Sequence, residues 1–286
     1  LTITKADLPK SKDSAKIKEV RSSSLFNEAE KQTKLSLLRL VQLQDDLNQD
    51  SLQAIESRKF EIHQEILLLC EDALILHPKY QTMWMIYGLV NSNLAKQPKL
   101  PLMQKLNFLL TSSEAYKQAY IYRSAETDSF LLKNSSKNLV ELGKLFGETL
   151  GSLEQASLYL REAIQADPQN ADAHSLMATV FSLQKNYTAM LSAAERAFLI
   201  NPTREYKENF ATACQVFALE SKNPAYLTKA EALLLEVEKE NQTIAGNYPE
   251  TKKIKVRTIE LLIKNYQLQN KPEQVQLWTK QLENRK

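Results

Sequence analysis

Glycine is scarce in this chain, with 5 in 286 residues, and proline, histidine and cysteine are nearly as rare at 9, 3 and 2. Strand-rich folds spend glycine at the positive-φ positions of hairpins and bulges, so the deficit argues against a β architecture and for helix almost throughout. By the same reasoning few turns are expected to need φ > 0. Cys70 and Cys214 are too few for a disulfide framework and, flanked by apolar residues, read as small buried hydrophobes. The longest apolar runs are of the kind Ile66-Leu67-Leu68-Leu69-Cys70, far short of the roughly 18 residues of a membrane span, so no integral membrane segment is expected. An excess of one charge is missing too: 37 basic and 34 acidic residues give a net charge of +3 with the signs interspersed. Nucleic-acid binding needs clustered Lys and Arg to neutralise phosphates, and this balance argues against it. The one dense basic run in the body of the chain is Lys252, Lys253, Lys255 and Arg257, with Glu250 and Glu260 beside it.

Chemistry-bearing patterns are also lacking. No Gly-rich phosphate loop, H-E-x-x-H or G-x-S-x-G occurs. His63, Cys70 and His77 are spaced by seven and share a helix face, yet a rise of about 1.5 Å per residue puts neighbours about 10 Å apart, while zinc ligands converge to about 2.0–2.3 Å from one ion. Carboxylate pairs such as Asp45-Asp46 and Glu236 with Glu240 fall on expected polar faces and read as solvated charge. No catalytic residue, metal or cofactor is therefore assigned.

What the chain has is helical periodicity. Residues 1–20 are polar and Lys-rich and read as a flexible arm; from Ser22, apolar residues recur at three and four, as in Leu35, Leu38 and Val41. A second helix is expected over about 51–76, ended by Pro78. Pro168 and Pro202 then stand 34 residues apart, each closing an apolar helix in the same way, REAIQADP and ERAFLINP. A fixed period of this length marks a stack of repeats. His174, Met177, Ala178, Phe181, Met190, Ala194, Ala197 and Pro202 form one set; Leu139, Leu142, Gly143, Phe146, Ala156, Leu160, Ala163 and Pro168 form another, with one extra residue near Gly151. Upstream, Ala73 and Pro78 precede Trp84, Tyr87 and Gly88 in the same register.

In these positions the chain resembles the tetratricopeptide family, whose pattern is W-x2-L-G-x2-Y in a first helix and A-x3-F-x2-A-x4-P in a second. The resemblance implies an all-α fold, a right-handed superhelix of stacked antiparallel helical hairpins, or α-solenoid. It covers a single domain over 21–286 with about six hairpins, clearest near 81–125, 136–168 and 171–202. Small residues at Gly143, Ala163, Ala178 and Ala197 are expected at helix crossings, with Phe146 and Phe181 filling the grooves.

The resemblance further implies a non-enzymatic scaffold or adaptor that holds a protein or peptide partner in a concave groove lined by first helices. The positions assigned to that groove are Met85, Leu89, Val140, Lys144, Ser175, Thr179, Thr212 and Lys264, with Asp172, Ser182, Glu208, Gln215 and Arg257 on the same stripes. The alternating Lys, Asn and Arg clamp that grips chaperone C-termini in some members does not appear at matching positions. Self-association into a homo-oligomer is compatible with such a frame. An alternative reading is an envelope or secretion-associated chaperone for an exported client: the chain begins at Leu1 rather than Met, which suits removal of a leader, and the compartment is then periplasmic or envelope rather than cytoplasmic.

Overall fold

The computed structural model describes residues 55–123, 128–243 and 249–285. The arm expected over 1–20 and the helix expected from Ser22 lie outside the described residues. Eleven α-helices, numbered here in chain order, make up the described residues: α1 Ile55–Leu76, α2 Gln81–Leu94, α3 Leu102–Ile121, α4 Asp128–Lys144, α5 Leu153–Ala166, α6 Ala171–Leu183, α7 Tyr187–Ile200, α8 Arg204–Ser221, α9 Ala225–Thr243, α10 Pro249–Leu268 and α11 Pro272–Glu283. No strand occurs among the described residues. Consecutive helices pack against one another, and the architecture is that of tetratricopeptide-like helical hairpins. The chain divides into two compact units, Leu1–Leu142 and Gly143–Lys286.

In the first unit, Ile62, Ile66, Cys70 and Ala73 of α1 pack on Met83, Val90 and Leu94 of α2. Gly88 is buried in α2 because the Tyr116 ring of α3 presses on it: an added Cβ would stand 3.0 Å from that ring. Ser112 seals the same crossing by donating to the Gly88 carbonyl at 2.7 Å.

The second unit begins with the crossing of Gly143 and α5. Ala156, Leu160 and Ala163 of α5 are buried, and Phe146 stacks on Tyr159 with centroids 5.3 Å apart. The core continues through Ala178, Met190, Ala194, Phe210, Cys214, Ala230, Leu234, Ile259, Leu262 and Trp278. Ala163 and Ala197, expected at crossings, are 0% and 1% exposed. The period is visible in the bonds themselves. Tyr206 donates to Asp172, Asn209 to Ser175 and Lys229 to Glu195, at 2.5, 3.2 and 2.9 Å, each pair 34 residues apart. One hairpin thus grips the next through equivalent positions.

The turns differ from the expectation drawn from scarce glycine. Within each of the five described hairpins, the turn places one residue at positive φ: Lys99, Gly151, Lys185, Lys222 and Asn270, at 65, 68, 59, 54 and 54°. Only one is glycine. Three of these turns close in the same way, Asn186 N–H to Phe181 O, Asn223 N–H to Ala218 O and Lys271 N–H to Tyr266 O at 2.9, 3.2 and 3.0 Å, the long-range bond of a Schellman cap. Lysine and asparagine therefore occupy the position that glycine holds most cheaply.

The extra residue near Gly151 has a structural form as well. Leu145–Thr149 is a π turn, and Ser152 N–H reaches Phe146 O at 2.8 Å, one residue farther along the chain than the matching bond to Phe181 O. A π turn absorbs an inserted residue without disturbing the helices on either side.

Candidate functional site

The first helices of the second unit's hairpins, α6, α8 and α10, lie side by side. Their exposed stripe is short and polar. Asn170 caps α6 by accepting from Ala173 N–H at 3.2 Å, and the helix then presents Asp172, Ser175, Thr179 and Ser182 at spacings of three and four. His174, at the consensus tryptophan position, turns the other way: its Nε2 lies 3.2 Å from the Pro168 carbonyl, as Trp84 Nε1 lies 2.8 Å from the Pro78 carbonyl. Both rings tie the start of a hairpin to the proline that closes the previous one. Burial pushes the His174 imidazole below its ordinary value.

Between these helices lies a cleft of about 210 Å³. Its floor is apolar, made by Ala178, Met190, Ala194, Ala213 and Val216; its rim is Ser175, Thr179, Ser182, Asn209, Thr212 and Arg257. The rim is organised by hydrogen bonds from one hairpin to the next. Asn209 Nδ2 donates to Ser175 Oγ at 3.2 Å, and Arg257 Nη2 donates to Asn209 Oδ1 at 3.1 Å. Arg257 Nε lies 3.3 Å from Glu208 Oε2, and Thr258 donates to the other Glu208 oxygen at 2.6 Å. Asn241 Nδ2 then donates to Thr258 at 2.8 Å. Thr179 and Thr212 turn their hydroxyl protons to their own helices, toward the Ser175 and Glu208 carbonyls at 3.4 and 2.8 Å.

Three of the residues assigned to the groove, Ser175, Thr179 and Thr212, are thus brought together on one cleft. Lys264 is exposed on α10, two turns from Arg257 on the same side. Lys144 is exposed at the end of α4. Leu89 and Met85 are half-buried on α2, Met85 against Tyr116, Ala119 and Leu131. Val140 is 7% exposed, so only the edge of its side chain meets solvent. Two neighbours assigned to the same stripe are core: Glu208 is 3% exposed, and Gln215 is buried while donating to Leu261 O and Asn265 Oδ1. The residue missed was Asn209, and its position was open to the 34-residue register, which sets it opposite Ser175.

Two readings of charge change. Glu236 and Glu240 are not simply solvated: each accepts from Lys207 Nζ at 2.5 Å, and Lys207 is buried between α8 and α9. Burial alone would lower the Lys207 ammonium, but the two carboxylate hydrogen bonds outweigh it and hold its pKa above the ordinary value. Within the basic run, Arg257 is no free cation either, since it turns back onto Glu208 and Asn209.

Neither thiol is among the residues that line this cleft. Cys70 and Cys214 are both free and buried, and burial pushes each up to about 12. Among the described residues no three His, Cys, Asp or Glu side chains gather as a metal-binding group, and no helix is long and apolar enough to cross a membrane.

No known family profile matches the chain, and no curated protein does. Among solved structures, BtubC (BKLC) from P. vanneervenii is similar with a TM-score of 0.55 at 12% identity, covering 82% of this chain and 91% of that one. Looser likenesses are PilW, a type IV pilus biogenesis factor, and YrrB, described as a TPR protein with an unusual peptide-binding site. PilW has a TM-score of 0.44 at 14% identity over 91% of this chain and 94% of its own. YrrB has 0.41 at 13% identity over 76% and 90%. At that identity the likeness to BtubC bears on fold alone, and hairpins bonded at 34-residue intervals are those of a tetratricopeptide-like helical repeat.

Proposed function

We propose that this tetratricopeptide-like chain is a non-enzymatic scaffold that holds a segment of a partner polypeptide on the first helices of its hairpins. The observation that carries the reading is the cleft between α6, α8 and α10: an apolar floor of small and flexible side chains beneath a rim of hydroxyl, amide and guanidinium groups. Such a lining suits an extended peptide, whose side chain needs an apolar pocket and whose backbone needs hydrogen-bond partners. Burying one Val or Leu side chain on that floor is worth about 1.5–3 kcal/mol, enough to anchor a segment that makes further contacts along the stripe. Lys264 extends that surface along α10. In the first unit the equivalent role falls to Leu89 and Met85 of α2, with the edge of Val140 on α4; Lys144 adds an exposed charge at the start of the second unit.

Several features speak against catalysis. The two thiols are buried and held protonated, so neither is a nucleophile at neutral pH. His174 is engaged with a backbone carbonyl and Lys207 is tied between two carboxylates. The polar groups of the rim are hydroxyls, an amide and a paired guanidinium, none of which is a carboxylate, imidazole or thiol that could act as a general base or nucleophile.

Affinity capture followed by mass spectrometry tests the proposal. The intact chain, a Thr179→Arg/Thr212→Arg variant that fills the cleft, and a Leu199→Arg variant on the exposed face of α7 are compared. The proposal expects the partner to be lost from the first variant and retained by the second, at unchanged helical content. A partner retained by the first and lost from the second would place binding on the outer helices.

A further inference from the structure

Arg257 reaches the cleft with its charge already answered. Its Nε is paired with Glu208 Oε2 at 3.3 Å, while Nη2 donates to Asn209 Oδ1 at 3.1 Å. Glu208 in turn is fixed, 3% exposed and held from its other oxygen by Thr258 at 2.6 Å. Asn209 takes one of the five N–H donors of the guanidinium and Glu208 stands against Nε, so the remaining Nη donors are available to a ligand while the ion pair as a whole is neutral. Further along the stripe, Asp172 accepts from Tyr206 at 2.5 Å and Lys264 is exposed, one negative and one positive group flanking a neutral centre.

A carboxylate entering this cleft would meet the guanidinium at the cost of crowding the Glu208 carboxylate beside it. A neutral carbonyl takes the same N–H donors without that repulsion. The apolar floor adds a second requirement, because the cleft's volume far exceeds the roughly 30 Å³ of one water and the lining beneath the polar rim is Ala, Met and Val side chains. Resting on the peptide-holding role proposed above, we infer that the cleft selects an uncharged stretch of polypeptide. An aliphatic side chain occupies the floor, a backbone carbonyl accepts from Arg257, and Glu208 is the residue that sets the preference against carboxylates. The partner is thereby specified as an extended segment with Val or Leu at its centre and no acidic residue beside it.

Two pools of nine-residue peptides, acetylated and amidated at their ends, provide the test. One is built from Gly, Ala, Ser and Thr with Leu or Val at the centre; the other is identical with Asp next to the centre. The full chain, immobilised, captures from an equal mixture, and mass spectrometry reads the ratio. The wild type is expected to enrich the uncharged pool at least fivefold. Glu208→Gln, whose single carbonyl oxygen can still accept from Thr258 while its amide leaves the guanidinium unneutralised, is expected to bring the ratio to unity or reverse it. Arg257→Gln is a second variant, in which Thr258 still holds the buried Glu208; with helical content checked by circular dichroism, it is expected to weaken capture of the uncharged pool severalfold. A wild type that prefers the Asp pool, a ratio that Glu208→Gln leaves unchanged in a folded protein, or capture indifferent to Arg257→Gln overturns the selectivity. Thr179→Arg separates this from the parent reading: capture that survives it takes place outside the cleft, and absence of capture from either pool overturns both.

Discussion

Lys185 and Lys222 hold left-handed backbone conformations at φ 59 and 54° in turns between paired helices, and both side chains are exposed. An L-residue with a Cβ pays about 1–2 kcal/mol for that conformation, whereas glycine adopts it freely but loses about 0.5–1 kcal/mol more chain entropy on folding. The difference predicts that Lys185→Gly and Lys222→Gly each stabilise the protein by about 0.5–1 kcal/mol. The two turns belong to different hairpins, so the double variant should gain about 1–2 kcal/mol. Urea denaturation followed by circular dichroism at 222 nm reads the effect. Lys→Ala at the same positions is the control: it deletes the same charge and side chain yet keeps the Cβ, and should gain nothing. Gly151, at φ 68° with open space around a would-be Cβ, gives the reverse experiment, since Gly151→Ala should cost about 1 kcal/mol from conformation alone. Glycine variants no more stable than their alanine counterparts would refute the reasoning and show that these caps carry no strain.

Three further outcomes follow from the packing and the charges. Gly143→Ala puts a Cβ 2.7 Å from the Leu160 side chain, which is fully buried and cannot retreat, so overpacking of about 1–3 kcal/mol should exceed the roughly 1 kcal/mol gained in helix propensity; the loss should shrink when Leu160 is replaced by Ala, and a double-mutant cycle measures the coupling. Ala197→Leu should cost about 1–3 kcal/mol at a crossing where Ala171 and Tyr206 close over the methyl group, and a variant that melts with the wild type would show the crossing to be loose. At Glu231 burial alone would raise the carboxyl, but hydrogen bonds from Gln269, Lys271 and Tyr266 outweigh it and hold the pKa below 4.5. A depressed folded-state pKa contributes stability above the unfolded value and loses it as pH falls through the folded value. The advantage of the wild type over Glu231→Gln should therefore be full above pH 4.5 and shrink below it, as chemical denaturation across a pH series would read.

Much of the fold was legible because the constraint that builds it is periodic. Helices that pack against neighbours through the same positions must repeat small residues at crossings, and Ala163 and Ala197, both buried, carry that repeat in the sequence. The turns were less legible because glycine content reports how cheaply a turn is made, not whether it is left-handed; Lys99, Lys185, Lys222 and Asn270 carry the conformation against their own preference. The π turn at Leu145–Thr149 showed only as a surplus residue near Gly151, since an insertion alone does not say whether a loop lengthens or a helix widens. The residues of the candidate cleft were half legible. Helical spacing gathered Ser175, Thr179 and Thr212, but a stripe read from one helix cannot tell that Gln215 is gripped by Asn265 or that Arg257 folds back to Glu208. Those pairings join residues about 50 positions apart and are products of packing.

Photo-crosslinking tests the central claim most directly. A benzophenone side chain is placed at Thr179, on the rim of the cleft, or at Leu199, exposed on α7, and each protein is irradiated with the uncharged peptide pool. Binding on the first helices predicts adducts at position 179 and none above background at 199; adducts at 199 that equal or exceed those at 179 would contradict it.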